Sequence, residues 1–327
     1  MRSAAHAGGR SMNTLAVVLQ QPERLALERL PLPEPGDEDI VVDIDYSGIS
    51  TGTERLLFSG RMPHFPGMGY PLVPGYESVG RVVHAGSRSG HVVGETVFVP
   101  GARCYGEVRG LFGGTASRVV TAGSRVVPVA ERLGERAVLL ALAATAYHAV
   151  SGGGLRPSVA PPDLIVGHGV LGRLLARMTV LAGGKPVVWE RNAERAGGAE
   201  GYAVLHPDED PRRDYRSIYD VSGDATVLDS LISRLVPGGE IVLAGFYSEP
   251  LSFSFPPAFM REAQIRAAAE WKRPDMLAVK HLVDTKVLSL DGLITHREPA
   301  TQAERAYRTA FGEAACLKMV LDWRGCA

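Results

Sequence analysis

The chain has 327 residues, 45% of them hydrophobic and 22% charged, and its 35 Lys and Arg against 36 Asp and Glu leave a formal net charge of -1. That length suits about two domains with a sizeable core, and the balanced charge supplies no field to draw in nucleic acid or an anionic membrane. The cysteines, Cys104, Cys316 and Cys326, are three in number and scattered, which fits a reducing, cytoplasmic setting better than a disulfide framework.

Residues 1–11 (MRSAAHAGGRS) are small and polar and read as a disordered extension before a start-like Met12. From about 13 to 130 the chain runs in short alternating stretches (TLAVVLQ, IVVDIDY, GRVVHAG, ETVFVP, SRVVPVA), cut by PEPGD, FPGMGYP and VPG, which predicts an all-β segment. The Ala-rich AVLLALAATAYHAV (137–150) reads as a helix too short and too polar to span a bilayer, and LAVVL near the start is too short for a signal-peptide core. Peripheral membrane contact stays open.

From 161 the period changes. PPDLIVGHG is a strand entering a glycine turn, and in VLGRLLARMTVLAGG the apolar residues Val170, Leu171, Leu174, Leu175, Met178 and Leu181 recur at helical spacing. PVVWE and SIYDVSG (strands), ATVLDSLISRL (helix), PGG (turn), EIVLAGFY and QIRAAAEW (strands) continue the alternation, which predicts a doubly wound parallel sheet. The last segment, with LITHREP, a helix near 301–311 and CLKMVLDW, reads as strand-helix-strand returning to the first domain.

GHGVLG (167–172) matches Gly-x-Gly-x-x-Gly between a strand and a helix. Gly167 permits the tight turn, Gly169 lets the backbone approach a pyrophosphate, and Gly172 lets helix pack on strand, with His168, Val170 and Leu171 at the intervening positions. Glu190, closing the next strand, fits the acid that bonds the adenosine ribose and favours NAD, whereas Arg191 beside it is the kind of residue that accepts the 2′-phosphate of NADP. Ser222-Gly223 and Ala244-Gly245 end later strands, where small residues let a dinucleotide lie across the sheet edge. GISTG (48–52) matches the nucleophile elbow of hydrolases, but no βαβ unit precedes it, so the context excludes that reading.

This order of parts resembles the medium-chain dehydrogenase/reductase superfamily over nearly the whole chain. The resemblance implies an α/β protein with a GroES-like β-rich catalytic domain (12–140 and 272–327) and a Rossmann domain (141–271). Zinc members of the superfamily carry ligands in a Gly-Ile-Cys-Gly-Ser/Thr-Asp segment and a Gly-His-Glu segment. Here those read GISTGTE (48–54) and GYE (75–77), with Ser50 or Thr51 near the cysteine, Thr53 at the relay hydroxyl and Glu54 at the acid. LALAATAYHAV supplies no third thiol, and the region of the four-cysteine lobe offers only Cys104, so no metal is expected.

Longer phrases (ISTGTE, GRMPHFPGMGYPLVPGYE, PDLIVGHGVLGRLLAR, FSFPPAFMREA, CLKMVLDW) resemble the zinc-free dehydrogenases that oxidise the 3-(1-hydroxyethyl) group of a bacteriochlorophyllide to acetyl. A zinc-free quinone or enone reductase of the same superfamily and a non-catalytic NAD(H) sensor are the alternatives. The resemblance puts Tyr76 at a lost ligand position, where the phenol either bonds the substrate oxygen or fills the vacated volume; a phenol is better suited to donate a hydrogen bond than to act as base at neutral pH. Thr53 becomes its relay, Glu77 a structural or catalytic acid, and Thr145 packs against the nicotinamide. His148 is either the proton acceptor or a core histidine. Lys318 either pairs with cofactor phosphate or ends a strand exposed. Phe65, Met68, Tyr70, Phe253, Phe255, Phe259 and Met260 would line a cleft for a flat tetrapyrrole, and residues around 250–270 would equally form a homodimer interface.

Overall fold

In the computed structural model, residues 12–64, 66–152 and 160–326 are described; the extension expected over 1–11 and the cleft residue Phe65 lie outside them. The first part comprises β1 (Asn13–Gln21), β2 (Arg24–Pro31), β3 (Asp39–Ile49), α1 (Thr53–Phe58), β4 (Leu72–Val73), β5 (Ser78–Ala85), β6 (Thr96–Val99), β7 (Arg109–Gly110), β8 (Arg118–Ala122) and β9 (Val127–Pro128). There follow α2 (Leu140–Ser151), β10 (Leu164–Val166), α3 (Val170–Leu181), β11 (Val187–Trp189), β12 (Ala203–Leu205), β13 (Tyr215–Asp220), α4 (Leu228–Ile232), β14 (Leu235–Leu243), α5 (Phe255–Met260), β15 (Gln264–Ala267) and α6 (Arg273–Asp284). The chain ends with β16 (His296–Pro299), α7 (Ala303–Gly312) and β17 (Met319–Asp322).

Apolar residues of these strands place Val42, Ile44, Val82, Val97 and Val119 in one core against a sheet ordered β16-β17-β3-β5-β6-β9, with β8 also paired to β3. β1, β2, β4 and β7 form a smaller sheet beside it. The tail returns as its pattern predicts: β17 pairs antiparallel with β3, Met319 opposite Ile49, which carries Lys318 to the end of β3 where the GISTGTE turn begins. Gly48 is required there, since a Cβ would stand 2.4 Å from Glu77 Oε2.

The middle of the chain forms a parallel sheet ordered β12-β11-β10-β13-β14-β15, the doubly wound order in which the chain reverses direction between β10 and β13. Leu164, Ile165 and Val166 are buried on both faces, as a central parallel strand requires. Two details depart from the sequence reading. Helix α4 covers only Leu228–Ile232, and the PGG turn lies within β14 as an irregularity, because β14 leaves β13 after the Leu235–Tyr215 pair and rejoins at Glu240–Ser217, with Gly238 at φ 76°. Loops rather than long helices join β11, β12 and β13, and Asp210 pins them by accepting from Trp189 Nε1 (2.7 Å) and the Tyr215 hydroxyl (2.6 Å). Helix α6 packs Met276, Val279 and Val283 into the core shared by α2, α3 and β10, so residues on both sides of the expected boundary at 272 share one interior.

Candidate active site

At the carboxyl edge of the parallel sheet, Gly167 turns the chain at φ 107° directly after β10. A Cβ on Gly172 would lie 1.9 Å from the Gly167 carbonyl oxygen, so only glycine lets the first turn of α3 settle on the strand; beside Gly169 the space is open. The N–H groups at the start of α3 therefore face a clear approach suited to a pyrophosphate. Glu190 closes β11 and accepts from His168 N (3.2 Å) and Asn192 N (2.8 Å), which fixes its carboxylate at this edge. Ser222 and Gly245 lie on the neighbouring strand ends and both bond Asp220, Ser222 through N and Oγ to Oδ1 (2.9 and 2.7 Å) and Gly245 through N to the carbonyl (3.0 Å). This donor set fits a nicotinamide dinucleotide.

The His168 ring is structural. Its Nδ1 donates to Arg195 O (2.6 Å), its Nε2 accepts from Tyr202 (2.9 Å), and burial pulls its pKa down to about 4, so it stays neutral. Arg191 is exposed and lies 3.2 Å from Asp224, already partnered by a carboxylate. Thr145 turns its hydroxyl back to Ala141 O (3.0 Å) and remains partly exposed on α2.

The second group of site residues follows β3 and β4. Ser50 lies on the turn into α1, Thr53 opens that helix, and Tyr76 lies on the loop into β5. The Tyr76 hydroxyl donates to Ser50 Oγ (2.7 Å) and lies 3.4 Å from Thr53 Oγ1, while its ring meets Phe112 edge-on at 5.3 Å. Thr53 and Tyr76 are partly exposed, and Ser50 is buried. Burial first, then the charge of Glu77, raises the Tyr76 pKa above the ordinary phenol value, so the group stays neutral. Beneath it Glu54 is fully buried and accepts from Ser50 N (3.0 Å) and the Tyr307 hydroxyl (2.5 Å); burial pushes its pKa up to about 7.

One assignment requires correction. Lys318 does not reach a cofactor phosphate: its ammonium bonds Glu77 Oε2 at 2.6 Å and Ile49 O at 3.2 Å, and it is 1% exposed because β17 carries it into the core. The same pair makes Glu77 structural. His148 sits as the core histidine of the two readings, buried with Nδ1 2.8 Å from Asp275 Oδ2, and Asp275 also receives Lys272 N at the start of α6. The reading missed Tyr307 as the partner of Glu54, for no local signal links residues so far apart.

The expected aromatic lining divides into two sets. Tyr70 donates to Leu57 O and, with Met68, packs beside Leu19, Leu57 and Leu72, whereas Phe253, Phe255, Phe259 and Met260 are exposed around α5. Arg61, just beyond α1, reaches Ser248 (3.4 Å) and Glu249 (3.3 Å) beyond β14, joining the two parts of the chain. A zinc ion does not fit the hydroxyl cluster: positions 50 and 76 offer neutral hydroxyls, and among the described residues no group of three or more His, Cys, Asp or Glu side chains is gathered to hold a metal.

The alcohol dehydrogenase GroES-like domain family matches residues 36–131. Among solved structures, the chain is similar to an alcohol dehydrogenase from E. coli CFT073 complexed with NADH (TM-score 0.79, 20% identity, 95% of this chain and 99% of that one). A dehydrogenase from Sinorhizobium meliloti 1021 bound to NADP is comparable (TM-score 0.77, 20% identity, 95% and 99%). These share the fold. Much nearer in sequence are the 2-desacetyl-2-hydroxyethyl bacteriochlorophyllide A dehydrogenases of Cereibacter sphaeroides (56% identical, 97% of this chain, 100% of the relative) and Rhodobacter capsulatus (56%, 96% and 99%). Identity at that level over nearly the full length of both chains means that the chain belongs to the bacteriochlorophyllide hydroxyethyl dehydrogenase family of the medium-chain dehydrogenases.

Proposed function

We propose that this chain oxidises the 3-(1-hydroxyethyl) group of a bacteriochlorophyllide to 3-acetyl, with hydride passing to NAD, late in bacteriochlorophyll a biosynthesis. The observation that carries the reading is 56% identity over nearly the full length to relatives named for that reaction. Glu190 supports NAD over NADP, because a carboxylate accepts ribose hydroxyls and repels a 2′-phosphate, and Arg191 is paired with Asp224.

Nicotinamide, when bound, supplies the carbon that takes the hydride. The chain's own part is to hold the carbinol oxygen and give its proton a way out. Tyr76 bonds that oxygen and Thr53 relays toward solvent, both at the partly exposed end of the hydroxyl cluster. A neutral phenol acts here as a preorganised hydrogen-bond partner worth a few kcal/mol to the reacting oxygen. The conjugated macrocycle supplies the rest by stabilising positive character at the carbinol carbon as hydride departs, which lowers the demand for a Lewis acid.

The protein works as a cytoplasmic homodimer. Exposed Phe255, Phe259, Met260 and Ile265 form an apolar patch along α5 and the edge strand β15, of a kind that soluble monomers rarely leave open. No helix among the described residues is long and apolar enough to cross a membrane. The deciding assay incubates the protein with NAD or NADP and a 3-(1-hydroxyethyl) bacteriochlorin while following nicotinamide reduction and the pigment's red band. Acetyl product with NAD is expected, and Tyr76→Phe should slow it at least about tenfold. Dinucleotide binding without pigment oxidation would overturn the reading and leave a sensor; a near-parental rate for Tyr76→Phe would leave the phenol only as a wall.

A further inference from the structure

Helix α1 ends in the pair of bonds that glycine-terminated helices make: Gly60 N donates to Leu57 O (3.2 Å) and Arg61 N to Leu56 O (2.9 Å). Gly60 sits at φ 71°, and a Cβ there would stand 2.8 Å from Pro22 Cγ, so the turn calls for glycine. Met62, next in the chain, is buried in the cluster of Leu57 and Leu72. The backbone of Arg61 is therefore fixed on both sides while its side chain is 63% exposed. Opposite it is the loop after β14, tied to the dinucleotide edge by Tyr247, whose hydroxyl donates to Asp220 Oδ2 (2.7 Å), the carboxylate that also holds Ser222. Arg61 thus stands where the wall bearing the hydroxyl cluster meets the wall bearing the dinucleotide edge, spaced from Thr53 by the rise of α1, about 8 Å. Its hold on the second wall is loose. One nitrogen makes both contacts, 3.4 Å to Ser248 Oγ and 3.3 Å to Glu249 Oε1, against about 2.8 Å for a well-made charge-assisted bond, and Glu249 is 69% exposed. An exposed pair of this kind contributes little, and it leaves the remaining guanidinium donors for a planar two-oxygen acceptor.

We infer that Arg61 is a specificity-determining residue that recognises the substrate's carboxylate. A bacteriochlorophyllide is a flat, apolar ring with one free carboxylate at the end of a propionate arm, and it differs from the esterified pigment at that group. With the 1-hydroxyethyl group at the hydroxyl cluster, the macrocycle lies along α1 and its carboxylate displaces Glu249 from Arg61, accepting two parallel N–H bonds. Phe246, 49% exposed on the same loop, supplies apolar surface beside the charge, the pairing that an apolar ring with a single anionic arm requires. Binding exchanges a loose ion pair for a bidentate one, selects free acid over ester, and fixes which edge of the ring meets the hydroxyls. The inference rests on the substrate class proposed above and adds the residue that recognises it.

The test measures kcat and KM for the parent, Arg61→Gln, Arg61→Lys and Glu249→Gln, each with a 3-(1-hydroxyethyl) bacteriochlorin as the free acid and as its methyl ester. The altered side chains are exposed, and melting curves with NADH binding verify the fold of each variant. In the parent the ester should show a KM about tenfold above that of the acid. Arg61→Gln should raise KM for the acid about tenfold with kcat within about twofold, and leave KM for the ester within about twofold. Arg61→Lys should recover only part of the preference, because a point charge lacks the fork. Glu249→Gln removes the competing carboxylate and should lower KM for the acid alone. Equal KM for acid and ester in the parent overturns the inference, as does an equal rise for both in Arg61→Gln, which would make Arg61 only a clasp between the walls. If the parent oxidises neither form, the proposed function itself fails; if it oxidises both and Arg61→Gln keeps the parental preference, only the role of Arg61 fails.

Discussion

Replacing Glu54 with glutamine isolates the buried acid beneath the hydroxyls. Burial, with the nearby charge of Glu77 adding to it, raises this carboxyl from 4.5 to about 7, against the opposing pull of Tyr307, Ser50 and Lys318. In the unfolded chain the same group ionises near its ordinary value. Between the two pKa values the folded protein therefore holds a proton that the unfolded protein has released, and stability falls as pH rises, by about 1.4 kcal/mol for each pH unit crossed. The cost is absent below the lower value and complete above the higher one, at about 3 kcal/mol. Glutamine has nothing to titrate and keeps an oxygen for Ser50 N or Tyr307. Urea unfolding followed by tryptophan fluorescence from about pH 4 to about pH 8 should show the stability of Glu54→Gln relative to the parent improving by about that amount. Parallel curves would refute the reasoning, since they would mean that Glu54 ionises in the fold as it does in water.

Lys318→Met strands the Glu77 carboxylate, 0% exposed, without its counter-ion, and should cost about 3–5 kcal/mol in urea unfolding; adding Glu77→Gln should recover most of it. A mild loss of stability together with weakened NADH binding would instead return Lys318 to the cofactor. Phe259→Asp, at the exposed patch on α5, should give a monomer in sedimentation that still binds NADH, and a dimer that survives the change would place the interface elsewhere.

Local patterns carried much of the fold. The apolar stretches of β3 and β5, the buried run of β10 and the 3.6-residue spacing of α3 each depend on neighbours within a few positions, so they could be read in order. The glycine turn was legible for the same reason: a tight turn, an open approach and a helix packed on a strand are demands on Gly167, Gly169 and Gly172 themselves. The length of α4 and the position of the PGG segment within β14 were not legible, because strand pairing overrides local turn preference.

By itself the sequence pointed to the doubly wound sheet and the glycine turn for a dinucleotide, and set beside its family it showed hydroxyls, at position 50 or 51 and at 76, where zinc members carry thiol and imidazole. Only the tertiary structure decided what each charged group touches. Lys318 meets Glu77 across 241 residues, Tyr307 meets Glu54 across 253, and Asp275 meets His148 across 127. A buried charge must find its partner wherever the fold brings one, and that partner is chosen by the pairing of β17 with β3, by the seat of α7 and by the packing of α6 on α2, none of which leaves a mark on the residues beside it in the chain.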